Sequence, residues 1–253
     1  MNDKTPPPQE PENGLTIERA LAILQQGAFG EEQGLMRYSS NYTFLLPVTH
    51  DDVTVLAIYK PQKGERPLWD FPEGTLCYRE VAAFITSEAL GWHLVPPTVL
   101  RDATRGPGSL QLFINHDPEY NYFAFDETMI PQLMKLALFD VITNNADRKG
   151  GHCIVDDSGH LWGIDHGLTF NVEHKLRTVI WDFAGQPIPE PLLEDLAQLC
   201  EQLEDADSTY RSQLSALIHE REIAAFQRRL QKVLQERTYP KPGRGPNYPW
   251  PPV

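Results

Sequence analysis

Asn144-Asn145-Ala146-Asp147-Arg148-Lys149-Gly150-Gly151-His152, then Cys153-Ile154-Val155, Asp156-Asp157-Ser158-Gly159 and, after His160, Leu161-Trp162-Gly163-Ile164-Asp165-His166-Gly167, is the stretch that decides the fold. Two short apolar runs flank an Asp-Asp-Ser-Gly turn, which is the pattern of a tight hairpin. A hairpin returns the chain on itself, so Asp147 and Asp165, 18 positions apart, are predicted to meet at one end. Paired carboxylates at one rim suit a metal–triphosphate site. One orients or deprotonates an attacking hydroxyl, and the other holds the cation that bridges the phosphates. The spacing points to phosphoryl transfer.

Outward from this core, Met129, Leu133, Leu136, Ala137 and Val141 recur at helical spacing and lead into Asn144. Beyond the hairpin, 168–189 reads as irregular, and helices follow over Leu192–Leu203 and Tyr210–Glu236, the second charged and broken once. Upstream, a helix over Leu15–Gln26 ends at Gly27. Strands are predicted over Leu35–Tyr38, Tyr42–Val48 and Val53–Lys60, then a loop rich in Pro, Gly and charge (Pro61–Gly74) and a helix, Thr75–Leu90, closed by Gly91. Val81, Ala82, Ile85 and Leu90 are expected to pack that helix on the sheet. Strands over Thr98–Arg101 and Ser109–Ile114 complete this half. The result is an α+β, bilobal arrangement: a small antiparallel β lobe over 15–115, a mostly helical lobe over 116–238, and the acids at a cleft between them. Residues 1–14 read as a disordered tail and 239–253 as a proline-rich tail, with a disordered end favoured over docking through Tyr248 and Trp250.

The 253-residue chain carries a formal net charge of −13, which argues against nucleic acid or an anionic membrane as its main partner. No apolar run reaches the roughly 18 residues of a bilayer span, and the start lacks a secretion signal's apolar core, so no membrane insertion is expected. Three widely spaced cysteines, Cys77, Cys153 and Cys200, form no zinc pattern and suit a reducing cytoplasm as inert buried thiols. Oligomeric state is not written in the sequence.

This order of features resembles the protein-kinase-like fold, in its atypical, phosphoinositide 3-/4-kinase-like branch. That branch's catalytic loop reads Asp-Arg-x-x-x-Asn, followed by a hairpin and Asp-x-Gly. Asp147-Arg148 and Asp165-His166-Gly167 match it. The resemblance is closest to a set of bacterial proteins that also share Leu168-Thr169-Phe170 and Trp181-Asp182-Phe183-Ala184-Gly185. It covers most of residues 30–235, with the loop and hairpin as its specific part.

The resemblance implies a kinase that uses ATP with Mg2+ or Mn2+. Asp147 would orient the acceptor hydroxyl and take its proton, Arg148 would contact phosphate or brace the loop, and Asp165 would ligate the cation, with Gly167 turning the chain sharply afterwards. His152 departs from the pattern, because the family carries asparagine there as second metal ligand. Magnesium prefers oxygen, so His152 either binds metal through a neutral nitrogen, favouring manganese, or braces the loop. Ligation would make activity fall as pH drops through about 6.5.

Lys60, at a strand end, stands where such folds carry the lysine that grips nucleotide phosphates, and Glu80 on the next helix would hold it charged. Glu80 pairing with an arginine on an exposed face is the alternative. Ser39-Ser40-Asn41 could offer amides and hydroxyls to phosphates or form a bare hairpin turn, and no Walker-type glycine loop is present. Gln111 to Ile114, including Phe113, is the expected strand and hinge beside an adenine. His174-Lys175-Leu176-Arg177 would face a phosphorylated or acidic substrate, or simply solvent. Trp181 would pack the loop, with Asp182 bonding backbone or catalytic-loop groups.

The leading expectation is transfer of the γ-phosphoryl group to a hydroxyl of a small soluble or protein acceptor. The alternatives are transfer of AMP to a protein, a nucleotide-sensing pseudokinase, and metal-dependent hydrolysis through His152, Asp147, Asp165 and His166.

Overall fold

The structure is a computed structural model, and it describes residues 15–32 and 42–253. The predicted strand Leu35–Tyr38, the turn Ser39-Ser40-Asn41 and residues 1–14 lie outside the described residues.

Five strands form an antiparallel sheet in the order β1-β2-β3-β5-β4: β1 (Ala28–Phe29), β2 (Phe44–His50), β3 (Val53–Pro61), β4 (Thr98–Ala103) and β5 (Gly106–Leu112). The period of two sorts β3 cleanly. Ala57 and Tyr59 point into a core with Ala20, Ile23 and Leu24 of helix α1 (Ile17–Gln26), whereas Ile58 and Lys60 face the opposite side. The Arg19 amide donates to Thr16 Oγ1 at 3.2 Å and caps α1. Gly27 ends it by turning to extended backbone (ψ 154°), at a place where a Cβ would lie 2.6 Å from the Ile23 carbonyl oxygen.

Helix α2 (Leu76–Ala89) takes its N-terminal cap from a distance: the amides of Leu76 and Cys77 donate to the Glu65 carboxylate at 3.2 and 2.9 Å. It touches β4 and β5, as the sequence suggests. However, Ala82, Ala83, Phe84 and Leu90 belong to the apolar core of the helical half, not to the core under the sheet. That half holds α3 (Ile130–Thr143), the hairpin β6 (Cys153–Val155) and β7 (Leu161–Gly163), α4 (Glu190–Glu204), α5 (Thr209–Ser215) and α6 (Glu220–Glu236). The break expected within Tyr210–Glu236 falls between α5 and α6. The hairpin turn is tied by Asp156 Oδ1, which accepts from the amides of Ser158 and His160 at 2.9 and 3.0 Å.

The C-terminal segment corrects an expectation. Instead of trailing away, it lies along the helical half: the Thr178 amide and Trp181 Nε1 both donate to the Asn247 carbonyl at 3.1 Å, and the Gly150 amide donates to Pro252 at 2.8 Å. Prolines remove donors but leave carbonyls free to accept, as the Pro252 carbonyl does here.

Candidate active site

The catalytic-loop candidate begins where α3 stops. Asn144 adopts the left-handed conformation (φ 57°), which asparagine tolerates, and turns the chain out of the helix. Asn145 Nδ2 donates to Asp140 Oδ1 at 2.9 Å, while its Oδ1 accepts from the Asp147 amide at 3.0 Å. Arg148 is fully buried: its Nε lies 3.1 Å from both Asp140 oxygens, Nη1 donates to the Ile164 carbonyl at 2.7 Å, and Nη2 is 2.6 Å from His166 Nε2. Burial works against the Arg148 charge, but the Asp140 carboxylate outweighs it and raises its pKa. Of the two roles expected for Arg148, the geometry gives bracing: no part of its guanidinium reaches solvent.

This brace joins the loop to the hairpin's exit. Arg148 can only donate, so neutral His166 accepts through Nε2 and carries its proton on Nδ1, which has no hydrogen-bond partner among the described residues. Burial and the neighbouring Arg148 hold its pKa well below the ordinary histidine value. The His166 amide donates to Glu80 Oε2 at 2.9 Å. The His166 ring is thus bonded to Arg148, while Asp165 Oδ1 faces Lys60. The residue in the left-handed region is Asp165 (φ 61°), not Gly167, so the sharp turn expected at Gly167 falls two residues earlier.

Asp147 and Asp165 line one cavity of about 300 Å3 together with Lys60 and Glu80. Glu80 is buried, at 3% exposure, which removes the alternative of an exposed pairing. Lys60 Nζ contacts Glu80 Oε1 and lies 2.9 Å from Asp165 Oδ1. Burial opposes the charge on Lys60, but Asp165 and Glu80 hold it protonated with a raised pKa. Burial alone would raise Asp165, yet Lys60 and His152 hold it below the usual carboxylate range. Asp147 goes the other way. Burial pushes it from 3.8 up to about 6, with Lys149 opposing and the Asp165 charge adding to the rise. Two nearby acids with separated titrations fit separate tasks, one as a permanent anion and one as a proton acceptor.

His152 sits between the catalytic-loop candidate and Asp165. Its Nδ1 lies 3.1 Å from the Asp147 carbonyl oxygen and accepts from the Lys149 amide at 3.4 Å, and its Nε2 lies 3.4 Å from Asp165 Oδ2. Burial lowers its pKa to about 4, so the ring is neutral at neutral pH. This moves the acid transition expected near 6.5. Among the described residues, no group of three or more His, Cys, Asp or Glu side chains is placed to hold a metal. Asp165 and His152 would thus need phosphate oxygens and water to complete a divalent ion's shell.

A second cavity of about 280 Å3 shares Lys60 and Asp165 with the first and adds His152, Ile58, Gln111, Phe113 and Ile164. Gln111 donates its side-chain nitrogen to Thr98 Oγ1 at 2.9 Å, and the Phe113 amide donates to Leu56 at 2.9 Å, so both nitrogens are engaged. Asp182 accepts from the Tyr122 hydroxyl at 2.6 Å and does not touch the catalytic loop. Asp140 was missed in the sequence. Its signal is a lone acid inside the apolar run Leu138-Phe139-Asp140-Val141-Ile142, because a charge in a buried stripe needs a partner.

A family model described as phosphatidylinositol 3- and 4-kinase matches residues 96–223. Protein Rv2133c of Mycobacterium tuberculosis is 38% identical over 86% of this chain and 90% of its own length. Phosphatidylinositol 4-kinase gamma 4 of rice (Oryza sativa subsp. japonica) is 30% identical over 43% of this chain and 22% of its own. The solved structures of hydra Fam20 and of the Helicobacter pylori proinflammatory kinase CtkA share the fold, with TM-scores of 0.55 and 0.51, at 15% and 10% identity. They align over 89% and 85% of this chain, and over 89% and 94% of theirs. The Golgi casein kinase with Mn/ADP bound aligns at TM-score 0.54 and 13% identity over 87% of this chain and 75% of that one. Lys60, Glu80, Asp147 and Asp165 thus stand in a kinase-like fold, and the chain belongs to the phosphatidylinositol 3- and 4-kinase family of phosphotransferases.

Proposed function

We propose that this protein is an ATP-dependent kinase that moves the γ-phosphoryl group to a hydroxyl of a small-molecule or protein acceptor. The observation that carries the reading is Lys60 with Asp165, shared by two adjoining cavities. The cavity lined by Ile58, Phe113 and Ile164 suits an adenine, and the one containing Asp147 suits the terminal phosphate and the acceptor. Lys60, held by Glu80, would give a phosphate oxygen its positive charge. Asp147 would accept a hydrogen bond from the acceptor hydroxyl. As the hydroxyl oxygen bonds to γ-phosphorus, the bond to the β–γ bridging oxygen breaks, ADP leaves with that electron pair, and the hydroxyl proton passes to Asp147. A value near 6 leaves Asp147 ionised at neutral pH yet basic enough to take a proton. Asp165 and His152 would hold Mg2+ or Mn2+, which neutralises charge on the phosphates.

Melting temperature with ATP and ADP, each with Mg2+ or Mn2+, tests the reading. A ligand at 100 times its Kd adds about 2.7 kcal/mol to apparent stability. Asp165→Ala is expected to abolish the metal-dependent part of the shift. Asp147→Ala is expected to keep the shift and lose turnover. Intact-mass analysis of any labelled product separates added phosphate from added AMP. No shift with any nucleotide removes the proposal.

A further inference from the structure

The cavity assigned to the adenine has a floor made of two paired strands. In the register of β3 with β5, Lys60 lies opposite Ser109 and Ile58 opposite Gln111. Residues directly opposite one another share a face of the sheet, so Gln111 stands on the side of Ile58 and Lys60, about 7 Å further along than the lysine. It lines the cavity with Ile58, Phe113 and Ile164 and is 5% exposed.

The Gln111 side-chain amide is held one way round. Thr98, opposite it on β4 and 1% exposed, donates through Oγ1 to the Pro96 carbonyl at 2.7 Å. A hydroxyl has one proton, so towards Gln111 this oxygen can only accept, and it takes Nε2–H at 2.9 Å. A turned amide would set two acceptors, Oε1 and the Pro96 carbonyl, against that single proton. Oε1 itself has no hydrogen-bond partner among the described residues. The side-chain atoms there that are both sealed and unpartnered are His166 Nδ1 and Arg229 Nη2. Gln111 Oε1 is not one of them, so it is open to the cavity that its residue lines.

Nearby main-chain groups are already engaged. The Leu112 amide donates to Pro97 at 2.8 Å, the Phe113 amide to Leu56 at 2.9 Å, and the Ile114 carbonyl accepts from His116 Nδ1 at 2.8 Å. Adenine presents an exocyclic amino group, a donor, where guanine presents a carbonyl oxygen. We propose that Gln111 reads the base of the nucleotide: Oε1 accepts from the amino group of adenine, and Thr98 sets this choice by fixing the amide. This deepens the kinase reading and rests on it. A purine with oxygen in place of the amino group would set oxygen against oxygen and leave Oε1 unpaired.

The test is calorimetric titration of the full chain, with Mg2+, by three diphosphates. They are ADP, IDP, which has oxygen in place of the amino group, and purine riboside diphosphate, which has only hydrogen there. The unaltered chain is expected to bind ADP roughly 5- to 20-fold tighter than purine riboside diphosphate and about 10- to 100-fold tighter than IDP, the scale of a hydrogen bond lost with its buried partner left unpaired. Gln111→Met removes the oxygen at similar volume and should bring the three Kd values within about threefold of one another. Thr98→Val frees the amide to turn its N–H towards an oxygen on the base, so IDP should bind about threefold tighter than to the unaltered chain while ADP weakens. A merely structural role for either residue would weaken all three ligands alike and leave their ratios unmoved. Melting of the nucleotide-free variants checks folding, and the comparison on the unaltered chain needs no variant. Equal Kd values for ADP and IDP on the unaltered chain overturn the proposal, and so does an ADP-to-IDP ratio unmoved in Gln111→Met or in Thr98→Val. Equal binding of all three ligands removes the base reading alone, whereas absence of binding by any of them removes the kinase reading and this proposal with it.

Discussion

Glu222→Ala should destabilise the whole molecule and weaken the nucleotide site, although Glu222 lies on α6, away from the cleft residues. Its Oε1 sits 2.5 Å from Arg79 Nη2, with side-chain exposures of 10% and 1%. Arg79 also donates through Nη1 to the Thr169 carbonyl at 2.7 Å and lies over the Phe71 ring. Deleting the carboxylate strands a buried guanidinium, which costs about 3–5 kcal/mol. Glu222 Oε2 also accepts from the His219 amide at 2.9 Å, closing a capping box whose loss adds about 1 kcal/mol. At ~2–4 °C per kcal/mol for a chain of this size, the melting temperature should fall by roughly 10–20 °C. Calorimetry on Glu222→Ala, Arg79→Met and the double variant isolates the pair, because the double variant no longer buries an unpaired charge. It should regain about 2–3 kcal/mol relative to Glu222→Ala. Arg79 is the neighbour of Glu80, so the single variant should also bind ADP more weakly. Additive losses in the double variant, or unchanged ADP affinity in a destabilised single variant, would refute the reasoning.

Asp147→Asn is expected to stabilise the nucleotide-free protein at pH 7.5 by about 2–3 kcal/mol and to lose that advantage near pH 4, as read by melting temperature at both pH values. The sign follows from the raised value: the folded state holds the Asp147 proton up to about pH 6 and the unfolded chain only to about 3.8, so stability falls as pH rises through that window and asparagine escapes the fall. Catalysis should decline below about pH 6 with Asp147, whereas His152 stays neutral down to about 4, and a rate transition that survives Asp147→Glu unmoved would contradict this assignment. Lys60→Met should weaken ADP binding roughly 10- to 100-fold in calorimetric titration, the scale of a hydrogen bond to a charged group, and unchanged affinity would remove Lys60 from the phosphate site. Truncation after Gly245 deletes the carbonyls that accept from Gly150, Thr178 and Trp181, so amide exchange at Gly150 should accelerate and turnover fall severalfold with ADP affinity preserved. Unchanged exchange at Gly150 would show that the C-terminal segment does not support the loop.

The parts of the site legible in the sequence are those fixed by short-range rules. A hairpin with Asp-Asp-Ser-Gly at its tip has to bring its two ends together, so the meeting of Asp147 and Asp165 followed from spacing. Lys60 was legible through the resemblance, as the lysine at a strand end with Glu80 on the following helix, and the alternation of β3 carries it to the face opposite Tyr59. Partners separated by long stretches of chain were not legible. Glu65 caps a helix that starts eleven residues later, and Arg79 pairs with Glu222 across 143 positions, where no periodicity applies. The C-terminal segment was misjudged for a related reason: proline-rich composition reports missing donors, but docking here uses carbonyls, which composition does not count.

The placement of α2 decides how the cleft can move. Its Glu80 holds Lys60, which belongs to the sheet, and Glu65 caps its start, yet several of its buried polar contacts reach the helical half. Besides Arg79 and Glu222, Thr86 Oγ1 lies 2.9 Å from the Tyr210 hydroxyl on α5, and beyond the helix end Trp92 Nε1 donates to Asp195 on α4 at 2.7 Å. Each is buried or partly buried, so swinging α2 outward would expose several polar groups together at about 1–3 kcal/mol apiece. Rotation of the sheet would instead part Lys60 from Glu80 and Asp165 and disturb apolar contacts, those of α2 with β4 and β5 and those of Ile154 and Trp162 with the sheet core. A nucleotide between Phe113 on the sheet side and Asp165 on the other would oppose that rotation. Amide exchange in β3 and β5 should therefore slow on ADP binding while exchange in α2 stays unchanged, and slowing confined to α2 would place the moving part in the helix instead.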